Sequence, residues 1–141
     1  MCIGLAGGAV NVETQLAPDP ISARAARQLI EAALQRWGDD DSTEVAALLT
    51  TELVTNAIVH ARTDFALRVA TDQGRLRVEV SDSSYDPPRL IPIGDTEEHG
   101  RGLHLVDALS ASWGVDWTAD GKVVWFELAE DHAEMTATGG S

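Results

Sequence analysis

Cysteine is nearly absent: the 141 residues hold one, Cys2. A lone thiol cannot close an intrachain disulfide, so stability has to come from burial, and a chain this long can bury about two thirds of its unfolded surface as one domain. Cys2 sits beside the initiator Met with no signal sequence before it and reads as incidental. Long apolar runs are missing too. No stretch approaches the roughly 20 apolar residues that span a bilayer, and the opening "MCIGLAGGAVNV" has neither a basic region nor a secretory apolar core, which predicts a cytoplasmic protein with no membrane contact. Basic residues are scarce, 10 against 23 acidic, for a formal net charge of −13. Nucleic acid and anionic membrane surfaces would be repelled, so direct binding to either is not expected. An anionic ligand would require positive potential gathered locally, from a cation, a helix N-terminus or a few arginines.

What is present has clear punctuation. "AVNVETQLA", residues 9 to 17, alternates as a first strand. "DPISARAARQLIEAALQRWG" predicts a helix with Asp19 as N-cap, Pro20 in the first turn and Gly38 after the last, its apolar stripe formed by Ala26, Leu29, Ile30, Ala33, Leu34 and Trp37. "DDDSTE" opens a second helix, with Asp41 and Glu44 spaced as a capping box. "FALRVATD" and "RLRVEVSD" read as an antiparallel hairpin around "DQG". Residues 83 to 102 have no periodicity and contain Pro87, Pro88 and Pro92, the mark of a long functional loop. "GLHLVDALSASWG" predicts a third helix over 102–114 stopped by Gly114, and "VDWTAD" with "KVVWFELAE" a closing hairpin about Asp120-Gly121. Residues 1–8 are expected to be a flexible N-terminus, 9–130 a single domain and 131–141 a flexible tail. The sum is an α+β two-layer sandwich, with helices on one face of a mixed, largely antiparallel sheet.

One stretch conflicts with its own pattern. In "TTELVTNAIVHA", residues 50 to 61, helical spacing puts Glu52 and Asn56 in the middle of the stripe made by Val45, Leu48, Leu49 and Val59, with Val54 and Ile58 on the opposite side. An unpartnered buried amide costs about 1–3 kcal/mol and a carboxylate more, so something polar should face them. Hydrogen bonds to nearby backbone are the plain alternative. Two further features follow: Asp82 ends the strand "RVEVSD", and "HGRGLHLV" places two glycines at a helix start, where free N–H groups favour an anion.

The order E-x-x-x-N on a helix, a strand ending in Asp, a proline-bearing loop, then G-x-G opening a helix resembles the GHKL-type nucleotide-binding domain of gyrase, heat-shock chaperone ATPases, histidine kinases and mismatch-repair ATPases. "ELVTNAIVHA" and "GRGLHLVDALSASWGV" are most similar to the small anti-sigma-factor serine/threonine kinases of bacteria, of the actinobacterial type, over roughly residues 10 to 130. That resemblance implies the Bergerat ATP-binding fold, ATP and Mg²⁺ as cofactors, and a sigma factor or an anti-sigma-factor antagonist as partner, and it leaves room for a homodimer. It assigns Asn56 as the Mg²⁺ ligand, which suits a hard cation. Glu52 becomes the catalytic base, Asp82 the acceptor for the adenine amino group, and residues 83–99 the lid. Ser84 lies in the adenine loop, while Gly100, Arg101, Gly102 and Leu103 meet the phosphates. Two positions depart from the family pattern: Ser84 of "DSSYDPP" stands where a loop glycine is common, and Val123 of "GKVVWF" occupies the apparent place of a supporting Thr.

The remaining candidates read as structural. His60 is a cap or core group, His99 a solvated loop residue, and His104 and His132 lack metal-ligand spacing with any Cys. Trp113, Trp117 and Trp125 are expected in the core. No separate phosphoacceptor-histidine helix is apparent, which argues against a complete histidine kinase. The rival to a kinase is a non-catalytic ATP-binding module whose pocket only holds a partner-binding shape; Glu52 favours the enzyme, and the missing loop glycine favours the module.

Overall fold

The computed structural model describes residues 2–6, 9–35, 37, 40–72, 74–88 and 109–129. Six strands, β1 (Cys2–Ala6), β2 (Ala9–Leu16), β3 (Phe65–Asp72), β4 (Arg75–Asp82), β5 (Ser112–Thr118) and β6 (Gly121–Ala129), form one sheet in the order β1-β2-β3-β4-β6-β5. Every described pairing is antiparallel. Two helices, α1 (Ile21–Ala33) and α2 (Asp40–Asn56), cover one face. The expected α+β sandwich is therefore the fold.

The alternation legible in the sequence makes the core. Phe65, Leu67 and Val69 of β3, Leu76, Val78 and Val80 of β4, and Val124, Phe126 and Leu128 of β6 are buried beneath Ala26, Ile30, Leu49, Leu53 and Val54 of the helices. Each large side chain so buried contributes about 1.5–3 kcal/mol. Where the pattern turns polar at Thr71, the buried hydroxyl accepts the Val10 N–H at 2.9 Å. At the start of α1, Asp19 Oδ1 accepts the Ile21 N–H at 3.0 Å, and Pro20 already has helical angles (φ −54°, ψ −30°), the expected cap and first turn.

Several expectations are corrected. β1 pairs with β2 where a flexible N-terminus was expected; five residues rich in Gly and Ala carry no period-two signal, and only the neighbouring strand orders them. α2 starts at Asp40, so Asp41 lies inside the helix, and Glu44 is drawn instead to Arg27 of α1 at 2.8 Å. Gly114 does not stop a helix: it lies within β5, directly opposite Trp125. Of the tryptophans, Trp113 packs against the core, Trp117 is 53% exposed, and Trp125 lies half-buried on the helix-free face. There the Arg77 guanidinium stacks 4.1 Å from the Trp125 ring centroid while pairing with Glu79 at 2.7 Å and Glu127 at 2.9 Å. The expected tail and most of the expected third helix lie outside the described residues.

Two glycines are held by contact, with different outcomes expected on substitution. At Gly121 (φ +155°) a Cβ would come 2.0 Å from the Asp82 carbonyl oxygen, which is backbone and cannot yield. At Gly114 it would meet the Trp125 ring at 2.8 Å, and a ring can shift. Gly121→Ala should cost at least about 2 kcal/mol and Gly114→Ala about 1 kcal/mol, read from urea midpoints at unchanged slope. Equal costs would contradict the close backbone approach.

Candidate functional site

The core-facing rows of β4 and β6 run Leu76, Val78, Val80 and Leu128, Phe126, Val124, and both end on a charge. The register pairs Asp82 with Lys122. Lys122 is the only lysine in the chain, and its side chain is 4% exposed against 2% for Asp82. Lysines are almost never buried unless paired. Its Nζ donates to Asp82 Oδ1 at 3.0 Å and points a second, longer contact of 3.4 Å at the Ser84 carbonyl oxygen. The Ser84 N–H also donates to Asp82 Oδ1, at 2.9 Å, closing an Asx turn. Breaking a buried pair by removing one partner typically costs about 3–5 kcal/mol, because the other charge is left uncompensated.

The position opposite Asp82 is thus Lys122 and not Val123, which pairs with Ser81 on the other face of β4. The sequence carried a signal for this: in period two with Val124, Phe126 and Leu128, Lys122 is the one charged member. Ser84 needs no glycine-like backbone, since Arg62 is the only non-glycine with positive φ among the described residues. The Ser84 hydroxyl accepts the Asp86 N–H at 3.0 Å, and the Tyr85 hydroxyl donates to the Ala119 carbonyl in the β5–β6 turn. The loop after β4 is therefore tied to the final hairpin through Tyr85, Lys122 and the close contact at Gly121.

α2 packs against β4 and β6, and the turn that follows Asn56 also touches β4. Glu52 and Asn56 are both half-buried. The buried face of the helix is Ala46, Leu49, Thr50, Leu53, Val54 and Ala57, while Leu48 and Val59 are exposed, so Glu52 and Asn56 lie on the flank of the apolar stripe and not at its centre. After Asn56 the helix widens into a single π-helical turn, Ala57–Ala61, ended by Arg62 (φ 61°), whose N–H bonds the Ala57 carbonyl at 2.8 Å. Such turns are frequent at functional sites. His60 lies in this turn and has its own partner.

A cleft of about 350 Å³ opens at the same end of the sheet, lined by Asp82 and Lys122 together with Gln15, Ala66, Ser81 and Val123. Those last four alternate with the core positions, while Asp82, Lys122 and Phe65 belong to the core-facing rows, so the cleft lies across the end of the sheet and takes no lining from α2. Gly100, Arg101, Gly102 and Leu103 lie outside the described residues, as does all of the expected lid beyond residue 88. No group of three or more His, Cys, Asp or Glu able to hold a metal occurs among the described residues, and no helix there is long and apolar enough to cross a membrane.

Burial holds the Glu52 carboxyl above the ordinary value of 4.5. The folded chain therefore binds that proton more tightly than the unfolded chain, and ionising it removes stability as pH rises past the unfolded value. Glutamine cannot ionise, so Glu52→Gln should gain stability relative to wild type between about pH 4 and about pH 7. Urea midpoints at both ends measure it; a difference that stays constant or shrinks would show the carboxylate to be freely solvated.

Comparison with known proteins agrees with this fold. The sequence matches the histidine kinase-like ATPase domain over residues 16–128. The uncharacterized protein SCO4941 of Streptomyces coelicolor is 38% identical over 84 residues, covering 56% of this chain and 80% of that protein. The RsbU and RsbW domains of Rv1364c from Mycobacterium tuberculosis superpose with a TM-score of 0.66 at 17% identity, covering 84% of this chain and 32% of that one. The histidine kinase domain of the Erythrobacter litoralis EL346 blue-light activated histidine kinase gives 0.52 at 22% identity, covering 84% of this chain and 62% of that one. This chain thus spans less than two thirds of either structural neighbour, and at such identities the likeness concerns the fold. The sequence match runs from the last residue of β2 to the last core residue of β6, taking in both helices and the strand ends that hold the carboxylate and ammonium, and the chain belongs to the family of histidine kinase-like ATPase domains.

Proposed function

We propose that this chain binds ATP with Mg²⁺ and acts as a regulatory serine/threonine kinase on an anti-sigma-factor antagonist, with a sigma factor as its other partner. The observation that carries this reading is the half-buried Glu52, its carboxyl raised by burial and set one helical turn before Asn56. A raised carboxyl is better poised to accept a proton near neutral pH. The base end supports the same ligand: both hydrogen bonds that the described residues make to the Asp82 carboxylate end on Oδ1, which leaves Oδ2 to accept from an amino group.

Bound ATP and Mg²⁺ would supply the phosphoryl group and neutralise phosphate charge. This chain's own part is positioning, which is most of what phosphoryl transfer asks of a protein. Asn56 would offer its side-chain oxygen to the cation, Glu52 would take the proton of the attacking hydroxyl, and the glycine-flanked run Gly100 to Leu103 would turn backbone N–H groups toward the phosphates.

Three measurements test the reading. ATP with Mg²⁺ should raise the melting temperature, with about 2.7 kcal/mol of stabilisation at roughly 100 times Kd, and ADP and GTP serve as comparisons. No shift at millimolar concentration would sink ATP binding. Glu52→Gln should then lower phosphate transfer to an antagonist protein by about 10²–10⁴ while ATP affinity stays within a few fold. Asn56→Ala should instead lose the Mg²⁺-dependent part of nucleotide binding. Binding of ATP by wild type without transfer to any partner would leave the non-catalytic module.

A further inference from the structure

We propose that Lys122 is a base-reading residue: together with Asp82 it presents a donor beside an acceptor, matched to the amino group of a 6-aminopurine and the ring nitrogen next to it. This rests on the reading of the chain as an ATP-binding domain. An ammonium has three N–H donors. One is spent on Asp82 Oδ1 at 3.0 Å and a second points at the Ser84 carbonyl at 3.4 Å. The third is left. On the carboxylate, the Lys122 and Ser84 donors both end on Oδ1, so Oδ2 is the oxygen still able to accept. Among the described residues, a donor and an acceptor without partners therefore belong to neighbouring side chains at the last core-facing rung of β4 and β6.

A carboxylate alone recognises an amino group but has nothing to offer the adjoining ring nitrogen, which only accepts. The ammonium supplies that donor without a bridging water. Burial strengthens the arrangement, because the Lys122 and Asp82 side chains are 4% and 2% exposed and water competes little for either. Two contacts hold the ammonium in place, the ion pair and the Ser84 carbonyl, and the close approach of Gly121 to Asp82 and Ser83 fixes the backbone beside them. A solvated lysine on a free stem would have no such aim.

The test compares ATP with 1-deaza-ATP and 7-deaza-ATP, which each replace one of the two ring nitrogens lying on either side of the exocyclic amino group, by calorimetric binding to wild type and Lys122→Met in Mg²⁺. In wild type, one of the two analogues should bind about tenfold more weakly than ATP, the size of one charged hydrogen bond. In Lys122→Met, ATP should weaken by about the same factor and the penalty for that analogue should disappear. If Lys122→Met does not fold, the wild-type series decides alone, and ¹⁵N-lysine labelling adds a second readout. With only one lysine in the chain, the single side-chain resonance should move with ATP and less with the weaker analogue. ATP binding with neither analogue penalised, or a penalty that persists in Lys122→Met, overturns the role of Lys122 alone. Failure of wild type to bind any of the three overturns the ATP-binding reading and this one with it.

Discussion

The arrangement at the end of the sheet depends on one ion pair. Asp82 and Lys122 close the last rung of a core whose other rungs are Val, Leu and Phe. Two charges there are tolerable because they face each other at 3.0 Å and the carboxylate receives a further N–H from Ser84. Replacing such a pair with well-packed apolar residues is often neutral or stabilising, so packing alone gives little reason to keep it. The base-reading role proposed for it would give one. The pair also explains the neighbouring backbone: the β5–β6 turn approaches closely enough that only glycine fits at Gly121, and the loop after β4 folds back onto that turn through Tyr85.

Charge is handled differently on the two faces of the sheet. On the helix-free face Arg68, Arg75 and Arg77 interleave with Glu79 and Glu127 as partly solvated pairs, each worth about 1 kcal/mol or less, with Trp125 providing a flat surface beneath Arg77. On the helix-covered side the single lysine is spent on one carboxylate. A chain of net charge −13 thus concentrates positive charge at a few places, and the one buried instance among the described residues lies at the candidate site. The charges of the open face read as support for the sheet.

α2 shows how a polar pair can belong to a mostly apolar helix. The wide buried face of Ala46, Leu49, Leu53, Val54 and Ala57 anchors it on the sheet. Glu52 and Asn56 stand at the margin, where the backbone is fixed by that packing but the side chains keep partial access to solvent. A fully buried carboxyl with no cation beside it would be neutral and a fully solvated one would keep its ordinary basicity; the margin gives the intermediate environment suited to proton acceptance. The π-helical turn directly after Asn56 lies at the same margin.

The sequence by itself determined the hairpin β3–β4 to the residue, the capped start of α1, the family, and the identity of Glu52, Asn56 and Asp82 as candidates. These follow from local signals: alternation, caps, turn residues and short-range motifs report what the next few residues do. Tertiary structure alone decided that Lys122, 40 residues from Asp82, is its partner. It also decided that Val123 turns to the other face, that Trp117 is exposed, that Cys2–Ala6 is a strand and that Glu52 flanks the stripe. Each of these depends on which strand or helix becomes the neighbour. Helical spacing gave the arc on which Glu52 and Asn56 lie, but the centre of the buried face is set by the angle at which α2 meets the sheet. Likewise a period of two fixes which residues of β6 share a face, while only its pairing with β4 places an ammonium against a carboxylate.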